Sequence, residues 1–421
     1  MRILIPKELY YLKNRSRSFY KNFSVKLEHW FASMDVIHLY SDNNYLYGNI
    51  DFESNFKLLE KRQNAKLHIK FFNVPKSGDG IYIDGDDVLH VPKEYDSVRV
   101  FSTLPIIRLK GNRDITFDGI HFTGGAGCTI EILGSNKHIK RCVIRNCGSG
   151  VMTYSGTYSN CSVENCLIEN LYNNSAIKFS KISNSVIEKN TIRHTGTLMK
   201  GGAVIQVSGR NFSVKNNAIY DYSYIAISAG YTREYKPGVL SGVVCGNIVD
   251  NIANFGIKEN QLTDGGGIYV LTHTDGIEIS DNIVRNIGYE GCELWGIYLD
   301  DGAYNCTVRR NLVYNMWPGQ YALTARYVEE CERSNMNNVI ESNIFIGPCV
   351  IAGNRKGHGE KTIIRNNYLV GDLYTQGDEY VTLEGNKFVH TTVREDGKIV
   401  FGKGNKVKRR GFSKRIRKLI K

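Results

Sequence analysis

The chain has 421 residues, including 42 glycines and seven prolines, and its formal net charge is +12. No run of about 18 apolar residues is present, so the composition excludes a membrane-spanning helix. Eleven basic residues lie beyond Asp396 with no acid among them, and the rest of the chain carries a net charge of only +1. Because the net positive charge is confined to one tail, we do not predict nucleic-acid binding.

Residues 1–100 lack the repeated phrase of the later chain, and we predict that they form a β-rich N-terminal cap. The stretch from Asp35 to Tyr40 resembles a strand, and the stretch from Asp79 to Pro92 resembles two short strands around a polar turn. The first 13 residues contain no apolar run long enough for a secretory leader. We therefore expect a location in the cytoplasm or at the inner face of a membrane, or secretion if the leader is missing.

A short phrase, usually Asn followed by apolar residues, returns every two to three dozen residues from about residue 118 to 388. Its copies begin at Asp118, Cys142, Cys166, Asn190, Asn217, Asn247, Asn282, Asn311, Asn343, Asn367 and Asn386. A repeat of this length with one β-branched phrase indicates coils that bury their apolar side by stacking. We predict an all-β chain, with a right-handed parallel β-helix of about 11 coils over residues 101–395 and stacked Asn side chains.

The chain contains ten cysteines, and two of them, Cys142 and Cys166, occupy the same repeat position. This spacing predicts a column of small, buried, reduced side chains. No Cys-x-x-Cys pair or Cys/His cluster with metal-ligand spacing is present, so we assign no metal.

Two neighbouring repeats carry near-copies of one phrase, around Gly267-Ile268-Tyr269 and Gly296-Ile297-Tyr298. The shift of 29 residues that aligns them carries Asp264 onto Glu293, which predicts stacked carboxylates about 5 Å apart. This is the spacing of a retaining glycosidase pair, whereas inverting hydrolysis needs a wider gap that an acid of the next turn supplies. The catalytic candidates are Asp264, Glu293, Asp300 and Asp301.

Strand alternation predicts that Tyr269, Tyr298 and Asp300 point outward and that the tyrosines form an open surface for sugar rings. A structural alternative remains for each acid alone, because an Asp-Gly pair is a common turn signal. The predicted substrate-binding residues are Tyr269, Tyr298, Trp295, His273, Glu259, Arg326 and Lys178.

The segment 396–421 is predicted to be a basic tail. Its apolar residues fall at helical spacing between lysines and arginines, which is typical of an amphipathic helix. These apolar residues are Phe412, Ile416, Leu419 and Ile420. Such a helix could contact an anionic membrane through residues 408–421, or cover the open end of the last coil.

The phrases at 264–269 and 296–302, preceded by those at 73–84 and 105–119, resemble in their order the right-handed β-helix glycoside hydrolases of family 141 and related pectate-lyase-like proteins. The resemblance covers roughly residues 65–390. It implies an enzyme that hydrolyses fucose- or xylose-containing glycans, with catalytic acids at Asp264, Asp300 and Asp301. Glu293 is a candidate from the alignment of the two repeats alone.

Two other functions stay open from the sequence. A polysaccharide lyase or C5-epimerase would act on a uronate glycan with Lys178 or Arg326 as base, and calcium held by Asp264, Asp300 and Asp301. The near-neutral repeat region argues against a polyuronate substrate. A glycan-binding or phage-tail-like protein would present the same aromatic surface without chemistry. No other cofactor is predicted, and the oligomeric state is open.

Overall fold

The computed structural model describes residues 107–389 with nine gaps, at 124–126, 154–155, 200, 231–239, 254–261, 272–273, 327–335, 354–360 and 377–379. It also gives the backbone of strands within 40–102 and 393–408. The described chain forms a right-handed parallel β-helix, as predicted. No α-helix occurs in this part of the chain, and so none there is long and apolar enough to cross a membrane.

Three sheets wind around one axis, because each coil gives one strand to each sheet. Sheet A is the sheet that carries the two near-copies of the acidic phrase. Its strands are Ile107–Lys110, Cys128–Leu133, Ser149–Met152, Tyr158–Ser159, Ile177–Ser183, Ala203–Arg210, Ile225–Ala229, Thr263–Val270, Glu293–Leu299, Leu323–Ala325, Cys349–Ala352, Leu373–Gln376, Val393–Glu395 and Lys398–Ile399.

Sheets B and C close the other two sides of each coil. The strands of sheet B are Ile115–Asp118, Lys137–Lys140, Ser162–Glu164, Val186–Glu188, Phe212–Lys215, Leu240–Cys245, Thr274–Ser280, Thr307–Arg309, Val339–Glu341, Thr362–Arg365 and Val381–Glu384. The strands of sheet C are His121–Thr123, Val143–Arg145, Leu167–Asn173, Thr191–Met199, Ala218–Tyr222, Ile248–Ile252, Ile283–Ile287, Leu312–Met316, Ile344–Ile346, Tyr368–Val370, Lys387–Val389 and Lys406–Lys408.

Short antiparallel strands precede the first coil. Four of them form one sheet and two form a pair. Their bounds are Tyr40–Asp42, Tyr45–Asn49, Tyr82–Ile83 and Val88–Pro92 in the sheet, and Phe56–Arg62 and Tyr95–Ser102 in the pair. At the other end, strand Lys406–Lys408 pairs in parallel with Lys387–Val389. The amphipathic helix predicted around residues 412–420 lies outside the described residues.

The core is a stack of apolar columns inside the coils. Strands alternate, so every second side chain points inward and meets the equivalent side chain of the next coil. One inward column of sheet C contains Ile144, Ile168, Ile192, Ile219, Val249, Val284, Val313, Phe345, Leu369 and Phe388, and each is at most 3% exposed. Full burial of one such side chain contributes about 1.5–3 kcal/mol, and a coil obtains this only from its neighbours.

A buried ladder of Asn side chains runs beside this column, as the repeat predicted. Its members are Asn190, Asn217, Asn247, Asn282, Asn311, Asn343, Asn367 and Asn386. At the middle of the ladder, Asn282 Nδ2 donates to Asn311 Oδ1 and to Val244 O, both at 2.9 Å. Asn282 Oδ1 accepts from the backbone N–H of Asn247 at 2.9 Å and from its Nδ2 at 3.0 Å. Each buried amide is therefore satisfied only when the coils stack in one register.

In the two coils before Asn190, buried cysteines take the place of asparagine in the same column. The backbone N–H of Cys166 donates to Asn190 Oδ1 at 2.9 Å, and both Cys166 and Cys142 are buried thiols in the same column. The predicted register is wrong only at the first step. Val143 pairs with His121, so Cys142 stacks on Ile120 rather than on Asp118. Asp118 ends a strand of sheet B and faces outward, where it forms an ion pair with Arg141.

We expect Asn282→Ala to lower the free energy of unfolding by about 3 kcal/mol or more, because it leaves buried donors of Asn247 without acceptors. Asn315→Gly is the matched control. Asn315 is an exposed corner residue with φ 57°, a conformation that glycine adopts freely, so we expect a change of less than about 1 kcal/mol. Urea unfolding of both variants measures the difference, and equal losses would contradict the role of the ladder.

Candidate functional site

The two acidic repeats lie side by side in sheet A. Strand Thr263–Val270 pairs in parallel with strand Glu293–Leu299, and Tyr269 stands directly opposite Tyr298. The residues that flank each tyrosine are fully buried in the core of the coils, so both tyrosines point outward, as alternation predicted. The acids and aromatic residues of these strands therefore share the outer face of sheet A.

Asp264 occupies a bulge at the start of its strand. Thr263 pairs with Glu293, and Gly265 pairs with Leu294, so Asp264 is an extra residue on one strand. It has a positive φ of 66°. The predicted stacking of Asp264 on Glu293 is therefore wrong by one residue, because the bulge shifts the register before the Gly-Ile-Tyr phrase.

Tyr224, in the preceding coil, holds this bulge in place. Its hydroxyl donates to the carbonyl of Thr263 at 2.7 Å and to that of Asp264 at 2.8 Å. A Cβ on Gly265 would lie 2.4 Å from the Tyr224 ring, so the ring can approach only a glycine here. Sequence reasoning missed Tyr224, which belongs to neither copy of the acidic phrase.

Asp300 is buried between the two tyrosines. The Tyr269 hydroxyl donates to Asp300 Oδ2 at 2.6 Å, and the Tyr298 hydroxyl donates to Oδ1 at 2.7 Å. The carboxyl group is thus fixed from both sides, and Asp300 is only 3% exposed. Burial, followed by the charge of Asp300, raises the pKa of both phenols, which keeps them protonated as donors.

The tyrosine rings do not form the open surface that the sequence predicted. Tyr269 is 3% exposed and Tyr298 is 1% exposed, and their ring centroids lie 5.1 Å apart at 58°. The Trp295 ring covers Tyr298, with centroids 4.3 Å apart. The rings of Tyr269 and Tyr298 instead form a small apolar cluster on the outer face, together with Ala203 and Ile225.

Asp301 is the half-buried neighbour of Asp300. Burial raises the pKa of Asp301 to about 7, and the charge of Asp300 and a hydrogen bond between the two carboxyl groups act in the same direction. Arg326 opposes the rise. The Asp301 Oδ1 atom is buried and has no hydrogen-bond partner. Asp301 therefore holds a proton on a substantial fraction of molecules near neutral pH.

Asp264 joins the same electrostatic cluster from the bulge. The residue as a whole is exposed, but its carboxyl group is partly withdrawn from water. This desolvation, and then the charge of Asp300, raises the pKa of Asp264, while a hydrogen bond with Tyr298 and the charge of Arg326 lower it. The structure thus brings together three of the predicted catalytic acids.

Arg326 lies one coil beyond Asp300 on the same face. Its backbone N–H donates to Leu299 O at 2.8 Å, and its Nη1 is 3.5 Å from the Tyr298 hydroxyl. The Tyr298 hydrogen bond and the charges of Asp300 and Asp301 raise the pKa of Arg326. Its guanidinium is therefore a fixed positive charge beside the acids.

The remaining predicted residues are more distant or lie outside the described chain. Glu293 is exposed at the edge of the site, opposite Thr263. Lys178 occupies the same outward row as Tyr269, three coils away, which corresponds to roughly 14 Å. His273 and Glu259 lie outside the described residues. Within the described ranges, no group of three or more His, Cys, Asp or Glu side chains is arranged to hold a metal ion.

Comparison with protein-family models supports the fold. The family model described as right handed beta helix region matches residues 105–282, which include Asp264 but not Asp300 or Asp301. No curated protein matches the chain. The chain is similar to the crystal structure of DFA-IIIase from Arthrobacter chlorophenolicus A6 without its lid. Identity is 12% and the TM-score is 0.25, over 72% of this chain and 79% of that chain.

We expect Asp301→Asn to stabilise the protein at pH 8 and to leave its stability unchanged at pH 4. Because the folded-state pKa of Asp301 lies above its unfolded value, the folded protein loses stability as pH rises toward about 7. Asparagine mimics the protonated acid and avoids this loss, which solvent screening of the half-exposed carboxyl group limits to about 1–2 kcal/mol. Urea unfolding at the two pH values measures the effect.

The control for this experiment is Asp281→Asn. Its hydrogen bond with Arg310 lowers the pKa of Asp281, so replacement removes a stabilising contribution at pH 8. Because this ion pair is exposed, the loss should be below about 1 kcal/mol. A destabilising effect of Asp301→Asn at pH 8 would contradict the raised pKa of Asp301.

Proposed function

We propose that this chain is a glycoside hydrolase that cleaves a polysaccharide or oligosaccharide on the outer face of sheet A. The observation that supports this proposal is the cluster of Asp264, Asp300 and Asp301 on two adjacent coils, where burial and the charge of Asp300 raise the pKa of Asp301 to about 7. Glycoside hydrolysis needs one carboxylic acid that is protonated at the working pH and a second carboxylate that is ionised. The cluster offers both within two adjacent coils.

Asp301 is the proposed general acid. Its proton would pass to the glycosidic oxygen as the bond to the anomeric carbon breaks, and a pKa near neutral pH suits this transfer. Asp264 is the proposed second carboxylate, because it stands on the exposed bulge and a substrate can reach it. It would attack the anomeric carbon directly or activate a water molecule, and the anomer of the first product distinguishes these routes.

Asp300 has a positioning role in this proposal. Both of its carboxyl oxygens already accept hydrogen bonds from tyrosine hydroxyls, and the group is buried. Asp300 therefore acts on the other acids rather than on the substrate, because its charge raises the pKa of Asp301 and of Asp264. The charge of Arg326 limits the rise in the pKa of both Asp264 and Asp301, and its guanidinium N–H groups can donate hydrogen bonds to sugar hydroxyls.

A lyase or epimerase is the second candidate, and the site supports it less well. The raised pKa of Arg326 keeps its guanidinium protonated, so it is a poor base for proton abstraction from a uronate. Lys178, the other proposed base, lies roughly 14 Å from Tyr269 along the same outward row. The glycan-binding alternative needs no catalytic acid.

Membrane contact through residues 408–421 and the location in the cell stay predictions.

Release of reducing sugar from fucosylated, xylose-containing and uronate glycans tests the proposal. We expect Asp301→Asn and Asp264→Asn each to lower kcat by about 100-fold or more, because each removes one proton-transfer or nucleophilic group. Glu188→Gln is the matched control, an acid of sheet B in an ion pair with the exposed Lys189, and its kcat should stay within about twofold of wild type. Wild-type kcat should fall as pH rises above about 7, where Asp301 loses its proton.

Three results would contradict the proposal. An absorbance increase from an unsaturated product would indicate a lyase. Hydrolysis that survives both substitutions would place the reaction elsewhere. Binding of a glycan without product from any member of the panel would favour a non-catalytic protein.

A further inference from the structure

Trp317 is the one large hydrophobic residue of the described chain that is exposed to solvent, with 45% of its surface accessible. It follows strand Leu312–Met316 of sheet C and lies at the corner that leads into sheet A. Its exposed indole offers a flat apolar face on which the apolar side of a ligand ring can pack. The ring belongs to neither the core cluster nor the outer tyrosine cluster.

A rigid turn presents this ring. The N–H of Gln320 donates to Trp317 O at 2.9 Å, Pro318 holds the second position, and Gly319 has φ +86° at the third. This combination is the signature of a type II turn. The N–H of Trp317 also donates to Ile287 O at 2.8 Å, which ties the turn to the preceding coil. The backbone that carries the indole is therefore fixed before any ligand binds.

The turn is fastened to the strand that carries the acids. Gln320 is 7% exposed, and its Oε1 accepts from the N–H of Leu294 at 2.6 Å. Its Nε2 donates to Cys292 O at 2.7 Å. Gly288 allows this close approach, since a Cβ there would lie 2.8 Å from Trp317 Cβ and 2.9 Å from Gln320 Cγ. Gln320 thus ties the turn that carries Trp317 to the start of strand Glu293–Leu299.

Acidic residues are exposed on the sheet A side of this turn. Glu290 and Glu293 lie before and at the start of strand Glu293–Leu299, and Asp264 lies on the bulge opposite that start. On the sheet C side, Arg285 is paired with Asp250. Arg326 is the positive charge that the described residues bring to the acid cluster. Carboxylates of a polyuronate would be repelled along this surface, whereas an uncharged sugar would not.

We propose that Trp317 is a binding subsite for an uncharged pyranose ring of the substrate. The substrate chain would extend from this subsite, across the corner between sheets C and A, to the acids of sheet A. The inference rests on the proposed function and names its substrate class as neutral glycans. The apolar face of a pyranose packs on the indole, and its hydroxyls remain in water. The preformed turn reduces the entropic cost of binding.

Isothermal titration calorimetry with xylohexaose, cellohexaose and hexagalacturonate tests this subsite, in wild type and in the Asp301→Asn background. We expect at least one neutral hexasaccharide to bind, and Trp317→Ala to weaken its affinity about tenfold, which corresponds to about 1.4 kcal/mol. Trp317→Phe should recover most of this loss, because it restores an aromatic face. Tyr368→Ala, a partly exposed aromatic of sheet C two coils further on, is the matched control and should change affinity less than about twofold.

Four results would overturn the inference: unchanged affinity in Trp317→Ala, tighter binding of hexagalacturonate than of both neutral sugars, no binding of either neutral sugar, or dissociation of an oligomer by Trp317→Ala. Sedimentation velocity detects the last, which would show that a second copy covers the indole. Hydrolysis of a neutral hexasaccharide with unchanged affinity in Trp317→Ala would reject the subsite and keep the proposed function. Lost affinity without hydrolysis by any variant would reject the proposed function and keep the subsite.

Discussion

The register between coils is the constraint on which the rest of the structure depends. In a parallel β-helix a slip of one residue turns every outward side chain inward, so one mechanism must fix the alignment of neighbouring coils. The Asn ladder supplies it, because each buried amide finds donors and acceptors only when the next Asn lies directly above. Apolar packing alone is less selective, since the inward columns consist of similar Ile and Val side chains.

The candidate site follows from that register and from one local departure from it. The ladder aligns Tyr269 with Tyr298, and the aligned hydroxyls meet the two oxygens of Asp300. The bulge then brings Asp264 out of the ladder pattern and toward the same carboxyl group. Asp301, next in the chain, is left half-buried beside a fixed negative charge, and its pKa rises as a result. The raised pKa of Asp301 is thus a consequence of coil stacking.

Sequence reasoning reached the parts of this arrangement that depend on periodicity. The Asn column, the strand alternation and the outward tyrosines follow from spacings of two residues within a strand and of one coil between strands. It missed the parts that depend on packing between coils with long insertions. Ile227 and its partner Ile268 are 41 residues apart, which hid the contact between Tyr224 and the bulge. The burial of Tyr298 was missed because strand alternation does not show that Trp295 of the same strand and residues of the neighbouring coils cover its ring.

The most direct test of this account is a carbon-13 NMR titration of the aspartate carboxyl groups in the wild-type protein and in Asp301→Asn. The account predicts one carboxyl resonance with a midpoint near pH 7 that disappears in the variant. That result would show that burial and the nearby Asp300 carboxylate keep Asp301 protonated up to near-neutral pH. If the Asp301 carboxyl instead titrates near its ordinary value of about 4, the site lacks the proton donor that the account requires.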